Sequence, residues 1–318
     1  MNIRQKINLM KRWYSMISGK SVFHVQQNIG KVYSKEELTG YYNDLTGKVT
    51  GSTILDNNGI PINTTANGRK VYFPITIFQY ALGAYDMYLL TKDKKYKNIF
   101  LKIALWAINK QNADGSWNCF DQLGDRIHLP FSAMCQGEGA SMLARAYKET
   151  GEQEYYNAAI SAIEFMLKDV KEGGTTLYQD NYSIFQEYVS EESPSVLNGW
   201  IFAIFGLFDI TKINTSTKYS EELKRTLNTL KKILIKYDRG YWSNYDLQGT
   251  IASPSYHDLH IQQLKLLYSL FEIEEFKEIV YIWETYKNRK SYIMKAYISK
   301  IIQKIFFSKY DNGTSLIS

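Results

Sequence analysis

Apolar residues recur at helical spacing along most of this chain, and the pattern is cyclic. Runs dense in apolar and small residues begin near Phe73 (FPITIFQYALGAYDMYLL), Ser132 (SAMCQGEGASMLARAY), Pro194 (PSVLNGWIFAIFGLFDI) and Ser255 (SYHDLHIQQLKLLYSLF). Their starts lie roughly 60 residues apart, the signature of a stacked supersecondary unit. A more charged amphipathic run follows each, around residues 95–110, 153–168, 220–236 and 275–287. A helix with polar residues on one face belongs at the solvent side of its apolar neighbour. The expected fold is therefore all-α: an α/α toroid of about four helical hairpins, with the apolar helices inside and the charged ones outside. Residues 1–70, rich in Gly, Asn, Thr and Ser, read as an irregular N-terminal segment with short β-hairpins. Residues 71–288 form the toroid, and residues 289–318 a basic amphipathic helix.

Polarity on the inner helices suggests where a ligand sits. Gln79 and Tyr80, Gln136 and Glu138, Asn198, and Tyr256 with His257 and His260 all fall in the first two turns of their helices. Polar groups at one end of four inner helices converge on one mouth, where helix amino ends favour carboxylates and developing oxyanions. Ser255 with Asp258 has the form of a capping box, and Ser193-Pro194 that of a cap with proline at N1.

Charge is unevenly placed. Residues 1–35 hold seven Lys or Arg and no acid, and residues 285–318 hold seven against Asp311 alone. The stretch between carries 24 basic and 31 acidic residues, a net of −7. The last helix either packs on the body with its lysines in water, or lies on an anionic membrane or a partner. The basic ends form no nucleic-acid reading motif. No apolar run is long enough for a signal peptide or a membrane span. Two cysteines among 318 residues are too few for a disulfide framework, so a reducing, cytoplasmic setting is expected, with membrane-peripheral contact through the basic ends left open.

Three stretches carry candidate chemistry. In YHDLH, His257 and His260 share a helix face, but no third ligand follows at zinc spacing, so no metal or cofactor is expected. They are read as hydrogen-bonding or acid–base groups, or as anchors of the preceding loop. QNADGSW, ending at Trp117, has the Q-x-x-x-G-x-W form of helical toroids and reads mainly as a turn, with Trp117 able to line the mouth. QEYVSEESP sets Glu187 beside Tyr188, and a carboxylate can polarise a neighbouring phenol, whose ordinary pKa is about 10.

YFPITIFQYAL, KQNADGSW, SAMCQGEGASMLARAY, EYVSEESPSVLNGW, FGLFDI, NYDLQG and YHDLHIQQL, in this order, resemble the C-terminal catalytic domain of the D-glucuronyl C5-epimerases through most of residues 41–287. The resemblance implies inversion at C5 of a uronic acid within an anionic heparosan-type polysaccharide, glucuronate becoming iduronate. Carried over motif by motif, it implies catalytic roles for Tyr188, Tyr245 and Tyr256, with Glu187 beside them. Tyr72, Gln79, Tyr80, Trp117, Gln136, Glu138, Asn198, His257, His260 and Gln263 are the expected substrate contacts. Members of this family often follow Tyr-Asp-Leu with arginine, whereas this chain has Gln248, so either the expected carboxylate partner moves to Arg126 or Arg239 or the substrate differs. Two rival readings remain: a uronan lyase on a similar toroid, and a non-catalytic glycan-binding protein of a polysaccharide pathway. Glycan-synthesis partners and a homodimer are also left open.

Overall fold

The computed structural model describes residues 27–65, 68–123, 129–190 and 193–306. A short helix α1 (Thr46–Thr50) and a small hairpin β1–β2 (Asn63–Thr64, Lys70–Val71) precede the repeats. Four helical hairpins follow: α2 (Pro74–Thr91) with α3 (Lys94–Lys110), α4 (Ala133–Thr150) with α5 (Gln153–Met166), α6 (Leu197–Ile213) with α7 (Thr217–Ile233), and α8 (Pro254–Phe271) with α9 (Glu274–Lys287). The hairpin β3–β4 (Thr176–Gln179, Tyr182–Phe185) lies between α5 and α6, and α10 (Lys290–Phe306) follows the last repeat. The first helix of each pair buries half or more of its residues and packs on the next such helix, so α2, α4, α6 and α8 form the inner wall of an α/α toroid.

Local chemistry sets the helix ends. Ser132 caps α4, accepting a bond from the Cys135 amide, and Gly151 closes that helix in the left-handed region (φ 75°). The α4–α6 contact is backbone against backbone, because Gly137 and Gly206 meet there and a Cβ at Gly206 would strike Gly137. Two expected caps differ. The cap of α8 is Ser253, with Pro254 in the first turn, while Asp258 reaches instead to Lys287 at 2.5 Å. Ser193-Pro194 caps nothing: Ser195 adopts φ 52° and its amide donates to Gln186 Oε1 at 3.0 Å, so helix α6 starts only at Leu197.

The N-terminal segment is far from a loose lead-in. It runs under the carboxyl ends of all four inner helices. The Tyr41 amide donates to Asp86 of α2, Arg145 of α4 donates to the Thr39 and Gly40 carbonyls, and Lys212 of α6 donates to the Ser34 and Glu37 carbonyls. Tyr33 and Lys35 reach Ser269 and Glu272 at the end of α8. At its centre a fully buried Arg145–Asp209 ion pair (2.5 Å) is completed by the Tyr42 hydroxyl at 2.6 Å. Tyr41 stacks on Phe202 of α6, so this segment closes the floor of the ring and leaves the amino-end face as its mouth.

Candidate active site

Backbone bonds stitch three loops together at that mouth. The two-residue turn Asp180-Asn181, with Asp180 at φ 52°, folds β3 back on β4. The hairpin delivers Gln186–Val189 to a fixed place: the Gln186 amide donates to Thr175 O, and the Ala133 and Leu129 amides donate to Gln186 O and Val189 O. The loop carrying Tyr245 is pinned beside it, with the Leu197 amide donating to Tyr245 O (3.0 Å) and the Leu247 amide to Pro194 O (2.9 Å).

Four aromatic side chains meet there. Tyr188 stacks on Phe120 with centroids 4.9 Å apart, and Tyr245 meets Tyr256 edge-on at 4.8 Å. The Tyr245 hydroxyl hydrogen-bonds Tyr188, and Tyr188 hydrogen-bonds Glu187. The three tyrosines are half-buried, while Glu187 is buried against Gly199 of α6, where any larger residue would collide with it. Burial pushes the Glu187 carboxyl up to about 8, although the Tyr188 hydrogen bond opposes the rise. Burial likewise raises the Tyr188 phenol, with the Glu187 charge adding to it. Tyr245, Tyr188 and Glu187 thus form a chain of interacting acidic side chains.

A second buried carboxyl lies deeper. Glu138 of α4 accepts from Gln79 of α2 at 2.9 Å, and burial raises it well above the usual carboxylate range. Glu187 and Lys48 both act on it electrostatically. Burial pushes the half-buried Lys48 ammonium down to about 8 while Glu138 pulls it up. Four buried acceptors on this wall, Glu138 Oε2, Glu187 Oε2, Asn198 Oδ1 and Gln263 Oε1, have no hydrogen-bond partner among the described residues. Among those residues no group of three or more His, Cys, Asp or Glu could hold a metal ion.

Several expected contacts turn out to be framework. Gln136 is fully buried and holds the QNADGSW turn, accepting from the Trp117 amide and donating to Gly115 O and Ala162 O. Trp117 is buried too, its indole donating to Ala107 O and its ring set edge-on to Phe78. His257 and His260 lie in the core, and each turns Nδ1 to Ser243 Oγ (2.8 and 3.1 Å). His257 also stacks on Trp242 at 3.8 Å, and burial pushes its imidazole down to about 3, so it is neutral and anchors the loop. Tyr80 is buried and interacts with Tyr96 of the outer helix α3. Arg239 is engaged with Asn244 Oδ1 and Gly249 O, Tyr72 lies half-buried at the rim with its hydroxyl on Asp56, and Arg126 falls outside the described residues. Lys48 and Phe120 were not among the expected contacts. Neither carries a motif, and only the approach of distant segments brings them here.

The family model for the D-glucuronyl C5-epimerase C-terminus matches residues 130–285. A D-glucuronyl C5-epimerase of Caenorhabditis elegans is 26% identical over 61% of this chain, which spans only 36% of that relative's length. An uncharacterised protein of Methanocaldococcus jannaschii is 35% identical, over 72% of this chain and 76% of its own. Solved structures with partial likeness include an unsaturated glucuronyl hydrolase specific for heparin (12% identity, TM-score 0.45, 76% of this chain and 79% of that one). A family 76 glycoside hydrolase of Bacteroides thetaiotaomicron is another (15%, TM-score 0.46, 83% and 82%). With the family model matched over residues 130–285 and a D-glucuronyl C5-epimerase aligned over 61% of the chain, this protein belongs to the D-glucuronyl C5-epimerase family.

Proposed function

We propose that the protein is a carbohydrate epimerase that inverts C5 of uronate residues in a polysaccharide, glucuronate to iduronate. The observation that carries this reading is the cluster of three phenols, from the β4–α6 loop, the loop before α8 and α8 itself, around a carboxyl raised to about 8. The C5 hydrogen of a uronate is only weakly acidic, so its removal needs a base on one face of the ring and an acid on the other. Tyr188 serves as the base. Its own proton passes to the ionised form of Glu187, which predominates above pH 8 and whose elevated basicity brings it closer to that of a phenol than an ordinary carboxylate comes. The electron pair left at C5 moves into the carboxylate as an enediolate. Tyr256 then donates its proton to C5 from the opposite face, and Tyr245 keeps the Tyr188 oxygen oriented. Turnover closes when the proton held on Glu187 is returned to the Tyr256 phenolate, and in the reverse reaction the two phenols exchange roles.

Negative charge on the substrate carboxylate doubles as C5 is deprotonated. We assign this charge to Lys48 of α1, whose electrostatic link to Glu138 supports the reading, in the part that arginine plays after Tyr-Asp-Leu elsewhere in the family. A preorganised donor of this kind contributes roughly 3–4 kcal/mol to the transition state. The buried acceptor oxygens of Glu138, Asn198 and Gln263 suit the hydroxyl donors of a sugar ring. The test is incubation in D₂O with a panel of glucuronate-containing polymers, read by mass and NMR for deuterium at C5. Incorporation that Tyr188→Phe and Tyr256→Phe each suppress supports the reading. Near-normal exchange in both variants refutes it, and an ultraviolet-absorbing unsaturated uronate would identify a lyase instead.

A further inference from the structure

Helix α10 has two faces, and among the described residues only one is packed on the body. The inward face docks on the loop of residues 239–252. Ser299 meets the Tyr241 hydroxyl at 3.1 Å, Gln303 accepts from the Ile251 amide and donates to Gly249 O (both 2.8 Å), and Ala296 is buried. The outward face carries Met294, Ile298, Ile301 and Ile302, which are 61%, 50%, 43% and 46% exposed. Their spacing places them in one stripe along the helix. Lys290 and Lys295, both exposed, fall at opposite edges of that stripe by helical periodicity.

The charge around the stripe decides what covers it. Residues 285–306 contain no acid. Lys287 is paired with Asp258 and Lys300 donates to Ile251 O, while Lys290 and Lys295 border the stripe, Lys295 also lying over the Tyr241 ring at 4.0 Å. Two copies packed stripe to stripe would bring lysines against lysines with no carboxylate on either helix to offset them. An anionic lipid surface instead accepts the isoleucines between its acyl chains and pairs its headgroups with the lysines. No helix of the described residues is long and apolar enough to cross a membrane, so the helix would lie along the surface.

We infer that α10 is an interfacial helix that docks this protein on anionic membranes through Met294, Ile298, Ile301 and Ile302 and the lysines that flank them. The inference stands apart from the proposed reaction. Its consequence for the site is positional, since the loop that α10 holds is the one bearing Tyr245.

The test is co-sedimentation of the full chain with phosphatidylcholine vesicles, with and without phosphatidylglycerol. Binding should be roughly tenfold or more tighter to the anionic vesicles and should weaken with added salt. The combined variant Ile298→Ser, Ile301→Ser, Ile302→Ser should lose most of that binding while keeping its melting temperature, because these side chains leave no core position empty. Lys290→Gln with Lys295→Gln, which leaves the stripe untouched, should weaken binding to the anionic vesicles alone. Equal affinity for both vesicle types, or undiminished binding by both variants, overturns the inference. So does a wild-type dimer in sedimentation velocity that the triple variant dissociates, since the stripe is then covered by a second copy.

Discussion

Replacing Glu187 with glutamine keeps the shape of the side chain and removes its titration. In the folded protein this carboxyl is raised from the ordinary 4.5 to about 8. Because the folded state holds the proton more tightly than the unfolded chain, the group's contribution to stability is fully present below pH 4.5. It is lost progressively as the pH rises through 8. Each pH unit in that window is worth about 1.4 kcal/mol, so between pH 4.5 and 7.5 wild type gives up about 4 kcal/mol through this one residue. Glu187→Gln does not, since an amide stays neutral. Urea unfolding of the two proteins should therefore give similar stabilities near pH 4.5, with the variant gaining on wild type as pH rises to 7.5. Glu138 titrates in both and largely cancels in the difference. C5 exchange measured in D₂O on the same samples should fall by about 10²–10⁴-fold, the usual contribution of a positioned base. A stability difference that does not change with pH would refute the burial argument, and retained exchange would remove Glu187 from the proton path. Greater stability with lost activity is the combination expected of a group held against its solvation preference for chemistry.

Other outcomes follow from the same geometry. Lys48→Met should lower kcat/KM on any uronan that wild type epimerises by about 10²-fold, from a donor worth roughly 3 kcal/mol, with a conservative Lys48→Arg recovering part of it. Gly199→Ala should abolish exchange while the protein still folds, because the added methyl displaces the Glu187 side chain; circular dichroism and the exchange assay separate the two effects. Arg145→Met should cost about 3–5 kcal/mol in urea unfolding, since Asp209 is left charged and buried at the floor. His257→Ala should destabilise the loop of residues 238–253 and lower the melting temperature without creating a new acid limb in the pH profile, because the imidazole is already neutral.

Much of the architecture is legible along the chain because helix periodicity is a local property. The four apolar runs and their charged partners mark the hairpins, and the elements observed at Pro74, Ala133, Leu197 and Pro254 begin within three residues of the runs that announce them. The Glu187-Tyr188, Tyr245 and Tyr256 motifs are visible for the same reason, being short and contiguous. What a side chain faces is not local. His257, His260, Gln136 and Trp117 look like ligand contacts in a list of polar and aromatic residues, yet packing turns each inward to hold a loop or a turn. The hairpin that presents Tyr188 has a strand-forming composition and an Asp-Asn turn, a signal overshadowed by the stronger helical pattern around it. The N-terminal segment shows no periodicity at all. Only the folded ring gives it partners, at helix ends far apart in sequence, and through it Lys48 comes to oppose Glu138. The sequence by itself determined which segments are helical and which phenols are candidates. The tertiary structure decided which carboxyl is buried beside them, because desolvation depends on every neighbour at once and on no single stretch of chain.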